Sequence, residues 1–162
     1  MYCRRQRQMC IRDSSYIRSL GGAGLKHASE MAVLNANYLR ARLEGAYDLP
    51  YKNRPLHDVI YSDQDLAGGC HTLDVAKRLH DYGSHPPTIY CPLVVKGAIM
   101  IEPTETESQD VIDEFCDAMI AIAGEARDNP ELLLNAPVRP RDRPLDETTA
   151  ARKPRLKWEA SE

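Results

Sequence analysis

Hydrophobic positions recur at helical spacing in two long stretches of the chain. In residues 16–47, Met31, Leu34, Tyr38 and Ala41 follow one another at steps of three or four, which predicts an amphipathic helix. In residues 106–128 the apolar positions form two adjacent rows, the clearest helical pattern in the sequence. These rows are Val111, Phe115, Met119, Ile122 and Ala126, and Ile112, Cys116, Ile120 and Ala123.

Glycines at positions 21, 22 and 24 interrupt the first helical stretch near its start. A glycine cluster before a helix can cradle a phosphate group. Here no strand precedes the cluster and no Gly-Lys-Ser follows it, so we interpret it as a hinge between two helical pieces.

Two short apolar runs predict strands. Residues 56–62 lie between Pro55 and Asp63, and residues 97–102 are closed by Pro103. Because strands and helices alternate along the chain, the sequence predicts an α+β fold with helices packed on a small sheet.

The segments between the predicted elements contain residues that typically begin or end helices. Thr72 is a suitable N-cap for a helix that Gly83 terminates. Residues 84–95 contain three prolines, which predicts an extended loop with a short strand. Thr106 and Gln109 have the spacing of a capping box for the helix that follows.

The two ends of the chain differ from its centre. Residues 1–14 contain four arginines and one acid without a hydrophobic period, and we expect them to be non-native or disordered. Residues 15–136 form the predicted domain. Residues 137–162 alternate prolines with arginines and lysines, which predicts an extended tail that packs on something larger than this chain.

Overall charge excludes a generally basic nucleic-acid binder. The 162 residues include 24 acidic and 21 basic side chains, for a net charge of −3. The basic tail suggests nucleic-acid binding, but Trp158 is its one aromatic residue for stacking, and we expect no nucleic-acid partner. No run of apolar residues is long enough to span a membrane, so we expect no membrane partner.

The five cysteines show neither disulfide nor zinc-site spacing. Their number is odd and no Cys-x-x-Cys occurs, which favours a reducing, cytosolic compartment, so we expect a cytoplasmic protein. We expect Cys91 and Cys116, which lie in apolar runs, to be small core residues. Residues 102–117 contain seven acids and no base. An acidic metal site is one interpretation, but these acids fall mostly off the apolar face, so we expect them to be solvated and predict no metal.

The residues alone do not complete a catalytic constellation. The sequence contains no Gly-x-Ser-x-Gly, His-Glu-x-x-His or Walker loop. His85 is the most interesting histidine, because it lies in a proline-rich loop between a helix end and a strand. The alternative is a structural histidine bonded to the backbone.

Three long segments resemble a known family. Residues 16–43, 73–126 and 137–158 are similar to the C-terminal end of the glycine-cleavage P-protein, and most similar to the second subunit of its bacterial two-subunit form. The most specific phrases are His-Pro-Pro-Thr-Ile-Tyr at residues 85–90 and Met-Ile-Glu-Pro-Thr-Glu-Thr-Glu-Ser at residues 100–108.

This resemblance implies a fold and an activity. It implies the small C-terminal domain of a pyridoxal-phosphate enzyme of the aspartate-aminotransferase type (fold type I). The implied reaction decarboxylates glycine and passes the aminomethyl group to the lipoyl arm of the H-protein. Subunit 1, the lipoylated H-protein and the chain's own large domain are the implied partners.

The resemblance also implies where this chain contributes. None of its six lysines lies in the family's cofactor motif, so we expect no catalytic residue, no bound pyridoxal phosphate and no activity in this chain alone. Family members usually have Phe at the position of Ser84 and His-Glu-Phe at residues 57–59, where this chain has His-Asp-Val. The residues expected to face the active site are in loops: His57, His85, Thr88, Glu102, Thr104 and Glu105.

Two other functions remain open at this point. The chain could be a stand-alone, non-catalytic module that binds the partner subunit or the H-protein. It could also be a small cytosolic enzyme that uses His57, His85 and Glu102. Alternatively, the prolines of these loops fix turns and all six residues are structural.

Overall fold

A computed structural model describes residues 2–139, 147–154 and 156–157. Its described elements are five helices and three strands. In chain order they are α1 (Tyr2–Arg42), β1 (Val59–Ser62), α2 (Thr72–Asp81), β2 (Thr88–Ile89), β3 (Ala98–Ile101), α3 (Gln109–Asp128), α4 (Glu131–Leu134) and α5 (Glu147–Arg152). The predicted α+β class is therefore confirmed.

The sheet has the order β1-β3-β2, and both pairings are antiparallel. Val59 pairs with Ile101, and Thr88 pairs with Met100. Alternate residues of the two strands, Val59 and Tyr61 of β1 and Ile99 and Ile101 of β3, belong to the hydrophobic core. The first predicted strand was too long at its start, since β1 begins at Val59.

The helices supply the other side of the core. The side chains that are at most 1% exposed and join the cluster containing Ile99 include Leu39 of α1, Leu43 just after α1, and Met119 and Ile122 of α3. Burying an aliphatic side chain of this size contributes about 1.5–3 kcal/mol, so each of these residues stabilises the packing of helices on the sheet.

The predicted break in the first helix is confirmed at Gly21. Its backbone (φ 61°, ψ −174°) is non-helical and divides α1 into an N-terminal arm (residues 2–20) and a C-terminal arm (residues 22–42). Helical backbone extends through residues 2–14, where we expected no regular structure, and all described side chains there are exposed. A non-native origin of this segment stays a prediction.

Two cap predictions were wrong by one or two residues. His71 is the N-cap of α2, and its backbone N–H donates to Asp74 Oδ2 at 2.9 Å. Thr72 is fully buried instead, because its hydroxyl bonds to the Gly97 carbonyl oxygen at 2.7 Å. Ser108, and not Thr106, caps α3 by accepting a hydrogen bond from the Val111 backbone N–H.

One predicted core position was wrong, and two positions of the apolar rows are exposed. Cys91 is exposed because it follows β2 in the connection to β3. Val111 and Ile120 are 47% and 41% exposed, since the buried stripe of α3 is narrower than the two predicted rows. Cys116 is buried as expected, and burial raises the pKa of its thiol to about 11.

The start of the tail is bound to α2. The buried Asp81 carboxylate accepts hydrogen bonds from the backbone N–H groups of Val138 and Arg139 at 2.9 and 2.7 Å. Within the predicted extended tail, α5 is helical, because no proline occurs between Pro144 and Pro154. Residues 140–146, 155 and 158–162 of the predicted tail lie outside the described residues.

Among the described helices, none combines the length and the apolar character that a membrane span requires.

Candidate functional site

Three connections meet at one end of the sheet. Because Val59 pairs with Ile101, the residues just before β1 lie beside those just after β3. Because Thr88 pairs with Met100, the residues before β2 reach the same end. We call residues 83–88 the histidine loop and residues 102–107 the glutamate loop.

The first predicted residues to meet there are His57 and Glu102. Their Nε2 and Oε1 atoms are 3.5 Å apart, and His57 Nδ1 is 4.0 Å from Asp58 Oδ1. The two partners are 62% and 50% exposed, so water screens their attraction and the pair adds little stability. The arrangement instead orients the His57 ring toward Glu102.

A groove of about 480 Å³ separates the histidine loop from the glutamate loop and the first turns of α3. His85, Thr88 and Glu102 all line it. Its other walls combine proline rings, apolar side chains and two further carboxylates. These lining residues are Leu39, Gly83, Ser84, Pro86, Pro87, Met100, Ile101, Pro103, Glu107, Val111, Ile112, Glu114 and Phe115.

Thr104 and Glu105 turn toward α1 and not into this groove. The carbonyl oxygen of Thr104 accepts a hydrogen bond from Asn35 Nδ2 at 2.9 Å, and the Thr104 hydroxyl bonds with that of Thr106 at 2.7 Å. Glu105 Oε1 accepts a hydrogen bond from the hydroxyl of Tyr16 at 2.9 Å. This bond raises the pKa of Tyr16 above its ordinary value, because the carboxylate stabilises the protonated phenol.

The six predicted residues therefore occupy one end of the domain in two groups. His57, His85, Thr88 and Glu102 surround or adjoin the groove. The other two, Thr104 and Glu105, join the glutamate loop to α1.

Two contact residues in α1 escaped the sequence analysis. Asn35 is 7% exposed, and its amide also lies 3.4 Å from the Glu107 carbonyl oxygen, so it holds the glutamate loop at two points. Tyr16 bonds to Glu105. The sequence position of Asn35 could have indicated this role. It lies four residues after Met31 and three before Tyr38, on the apolar face of the predicted helix. An unpaired amide there would be costly, so its position alone indicates a partner.

The groove does not fit pyridoxal phosphate by itself. No lysine or arginine occurs among the described residues that line it, whereas three of them, Glu102, Glu107 and Glu114, are acids. The cofactor needs a lysine amine for its covalent link and donors for its phosphate, and carboxylates repel that phosphate. These residues can accept hydrogen bonds and exchange protons, but they cannot hold the cofactor.

A larger cavity of about 680 Å³ lies at the C-terminal end of α1 and contains none of the predicted residues. Arg40, Lys52, Tyr61 and Arg127 are among its lining residues. Across residues 2–139, 147–154 and 156–157, no three His, Cys, Asp or Glu side chains cluster closely enough to hold a metal ion.

Comparison with known protein families identifies the class to which this α+β domain belongs. The family described as "Glycine dehydrogenase, C-terminal domain" matches residues 28–137, more than half of the chain, and the chain belongs to that family. The match includes both loops of the groove.

Curated relatives narrow the similarity further. The chain is 55% identical over 150 residues to the "Probable glycine dehydrogenase (decarboxylating) subunit 2" of Exiguobacterium sibiricum, covering 92% of this chain and 30% of the relative. It is 51% identical over 149 residues to the protein of the same name from Caldanaerobacter subterraneus, covering 91% and 31%. The chain thus spans about a third or less of the relatives' length.

Proposed function

We propose that this chain is the small C-terminal domain of a fold type I, pyridoxal-phosphate-dependent glycine dehydrogenase (decarboxylating) subunit, found in the cytoplasm. The whole enzyme would decarboxylate glycine and transfer the aminomethyl group to the lipoyl arm of the H-protein. Family membership and relatives about three times as long as this chain support the proposal.

One observation carries the proposed role of the loops. His57, His85 and Glu102 lie at the end of the sheet next to which the N-terminal arm of α1 leaves the packed body, as the Tyr16–Glu105 bond indicates. We infer that the large domain attaches to this arm and that the loops face its active site. Pyridoxal phosphate would be held there and not by the groove of this chain.

The loop residues can then act on a small zwitterionic substrate. Glu102 Oε1 lies 3.5 Å from His57 Nε2, so the carboxylate favours an orientation of the His57 ring with this nitrogen turned toward it. His85 is exposed on a loop stiffened by Pro86 and Pro87, so its imidazole can accept or donate a proton at a defined place.

Replacement of His85 tests this role in an intact two-subunit enzyme rebuilt around this domain. We expect His85→Ala to lower the release of CO₂ from carboxyl-labelled glycine by about 100-fold, the usual contribution of a positioned acid or base. His80→Ala is the matched control, because His80 is an exposed histidine on α2. Equal turnover in the two variants, with unchanged circular dichroism, would make His85 structural.

The chain alone should be inactive, since the cofactor's lysine and phosphate site lie elsewhere. Addition of pyridoxal phosphate to the purified 162-residue chain should produce no stoichiometric lysine adduct that survives dialysis, as followed by absorbance. A single stable adduct would contradict the proposal. Subunit 1 and the lipoylated H-protein are the proposed partners of the whole enzyme.

A further inference from the structure

The N-terminal arm of α1 leaves the packed body of the domain. Residues 9–23 are all exposed, and they include the apolar side chains of Met9, Ile11, Ile17 and Leu20. The C-terminal arm, in contrast, carries the buried residues Ala36 and Leu39. The C-terminal arm therefore contributes side chains to the core, whereas the described side chains of the N-terminal arm are exposed to solvent.

Gly21 joins these halves with a backbone that other residues rarely adopt. Its φ of 61° is in the left-handed region, and a Cβ added there would meet no atom within 4 Å. Gly22 and Gly24 follow at once, so the helix is least constrained where the arm departs. Backbone geometry at this point sets the angle between arm and body.

Among the described side chains, one hydrogen bond joins the N-terminal arm to the body of the domain. Among the side chains described in the arm, residues 9–20, Tyr16 alone has a hydrogen bond to another element, and its acceptor is Glu105 at 2.9 Å. On the other side of Gly21, Asn35 bonds to the Thr104 carbonyl oxygen of the same loop. The glutamate loop is thus tied to both arms of α1.

We propose that the Tyr16–Glu105 hydrogen bond is a clamp across a hinge at Gly21, which holds the N-terminal arm at one angle to the body. Movement of the arm would pull on Glu105, three residues from Glu102, while Asn35 keeps the rest of the loop in place. Tyr16 is therefore a positioning residue. The clamp itself is independent of the proposed function, whereas its consequence for glycine turnover rests on that proposal.

Distances between spin labels on the full 162-residue chain measure the arm angle directly. Cys10, exposed in the arm, takes one label, and a Glu114→Cys substitution on the exposed side of α3 takes the other. Cys3 and Cys91 are replaced by serine, and the buried Cys70 and Cys116 remain. This labelled chain, otherwise unchanged and measured at a concentration low enough for sedimentation velocity to show only monomer, is the parent for all variants.

We expect one narrow distance distribution in the parent and a broad one after Tyr16→Phe, because that change removes the donor hydroxyl. Glu105→Ala should broaden the distribution equally, and the double variant should broaden it no further. Glu105→Gln should retain much of the narrow peak, since an amide oxygen still accepts a hydrogen bond.

Two matched controls separate the clamp from general effects of substitution. Tyr51→Phe removes the hydroxyl of a tyrosine that is 50% exposed elsewhere, and Glu107→Gln neutralises the next acid in the loop. Both should leave the distribution narrow. A broad parent distribution, or narrow distributions in Tyr16→Phe and Glu105→Ala, would overturn the proposal. None of these outcomes depends on glycine decarboxylation, so failure of the clamp is distinguishable from failure of the proposed function.

Discussion

Asp81 connects two parts of the chain through one buried carboxylate. Arg78 donates to it at 3.1 Å, and two backbone N–H groups at the start of the tail donate from the other side. We expect Asp81→Ala to lower the free energy of unfolding by about 3 kcal/mol, because it leaves buried donors unpaired. Urea denaturation measures this loss. Asp128→Ala, at an exposed position on α3, should change the value by less than about 0.5 kcal/mol, and an equal effect would contradict the assignment.

The same arginine makes the stability depend on acid pH. Hydrogen bonds from Arg78 lower the pKa of Glu125, and for Asp81 backbone and Arg78 bonds outweigh burial and also lower the pKa. Because the lowered values belong to the folded chain, this stabilisation is complete above the ordinary pKa values of 4.5 and 3.8 and is lost as the pH falls through the lowered ones.

We therefore expect the urea midpoint to fall steeply from about pH 5 to about pH 3. The fall should be smaller in Arg78→Met, which keeps an apolar stem and removes the cation. Parallel pH profiles for the two chains would show that Arg78 is not the cause.

At the scale of elements, Gly97 joins β3 to the start of α2. A Cβ at Gly97 would lie 1.8 Å from Asp63 Oδ1, and Asp63 is held in place because the other carboxylate oxygen accepts hydrogen bonds from Thr72. Gly69 has a similar φ of +70° with nothing within 4 Å of an added Cβ. Substitution of Gly69 therefore measures the cost of backbone strain alone, whereas substitution of Gly97 adds the cost of crowding against Asp63.

We expect Gly69→Ala to cost about 1 kcal/mol for its backbone alone. Gly97→Ala should cost about 1–3 kcal/mol more, because Asp63 must move and release Thr72. Thermal unfolding followed by circular dichroism gives both values. Equal losses of unfolding free energy in the two variants would mean that the Asp63 side chain moves aside without a measurable energetic cost.

Elements were predictable where their signal is local. The apolar stripes identified α1 and α3, and the glycines identified the kink. The α2 cap prediction was wrong because Thr72 bonds to Gly97, which lies 25 residues away, and a local cap rule cannot include that bond. The prediction that Cys91 is buried was wrong for a related reason. Apolar neighbours in sequence do not show whether a segment lies on the surface of the fold.

At the scale of the whole molecule, the end of the sheet that carries the loops depends on pairing between distant residues. Sequence patterns and family resemblance selected His57, His85 and Glu102, but their proximity follows from the register of β1 and β2 on β3. The contacts of Tyr16 and Asn35 span 89 and 69 residues. Such contacts depend on how helices pack against loops, which no periodicity in one segment encodes.

The exposed N-terminal arm leads to a prediction about association. Ile17 and Leu20 are 52% and 36% exposed and lie three residues apart on the arm, so they present apolar surface that a second protein surface could cover. An exposed helix gains little stability from its own backbone, so association would also stabilise the arm. We expect sedimentation velocity to show concentration-dependent oligomers of the 162-residue chain, and the double variant Ile17→Glu, Leu20→Glu to shift them to monomer.

The hairpin connection between β2 and β3 provides the matched control for that experiment. Leu93 and Val94 are 92% and 83% exposed there, and the double variant Leu93→Glu, Val94→Glu adds the same charge at a position remote in sequence from the arm. If the arm is the associating surface, this variant should still form oligomers. Dissociation by the hairpin variant alone would assign association to the hairpin, and a parent chain that stays monomeric at high concentration would show that the arm does not associate. Because association buries the arm and the Tyr16–Glu105 clamp only orients it, Tyr16→Phe should leave the oligomers largely intact.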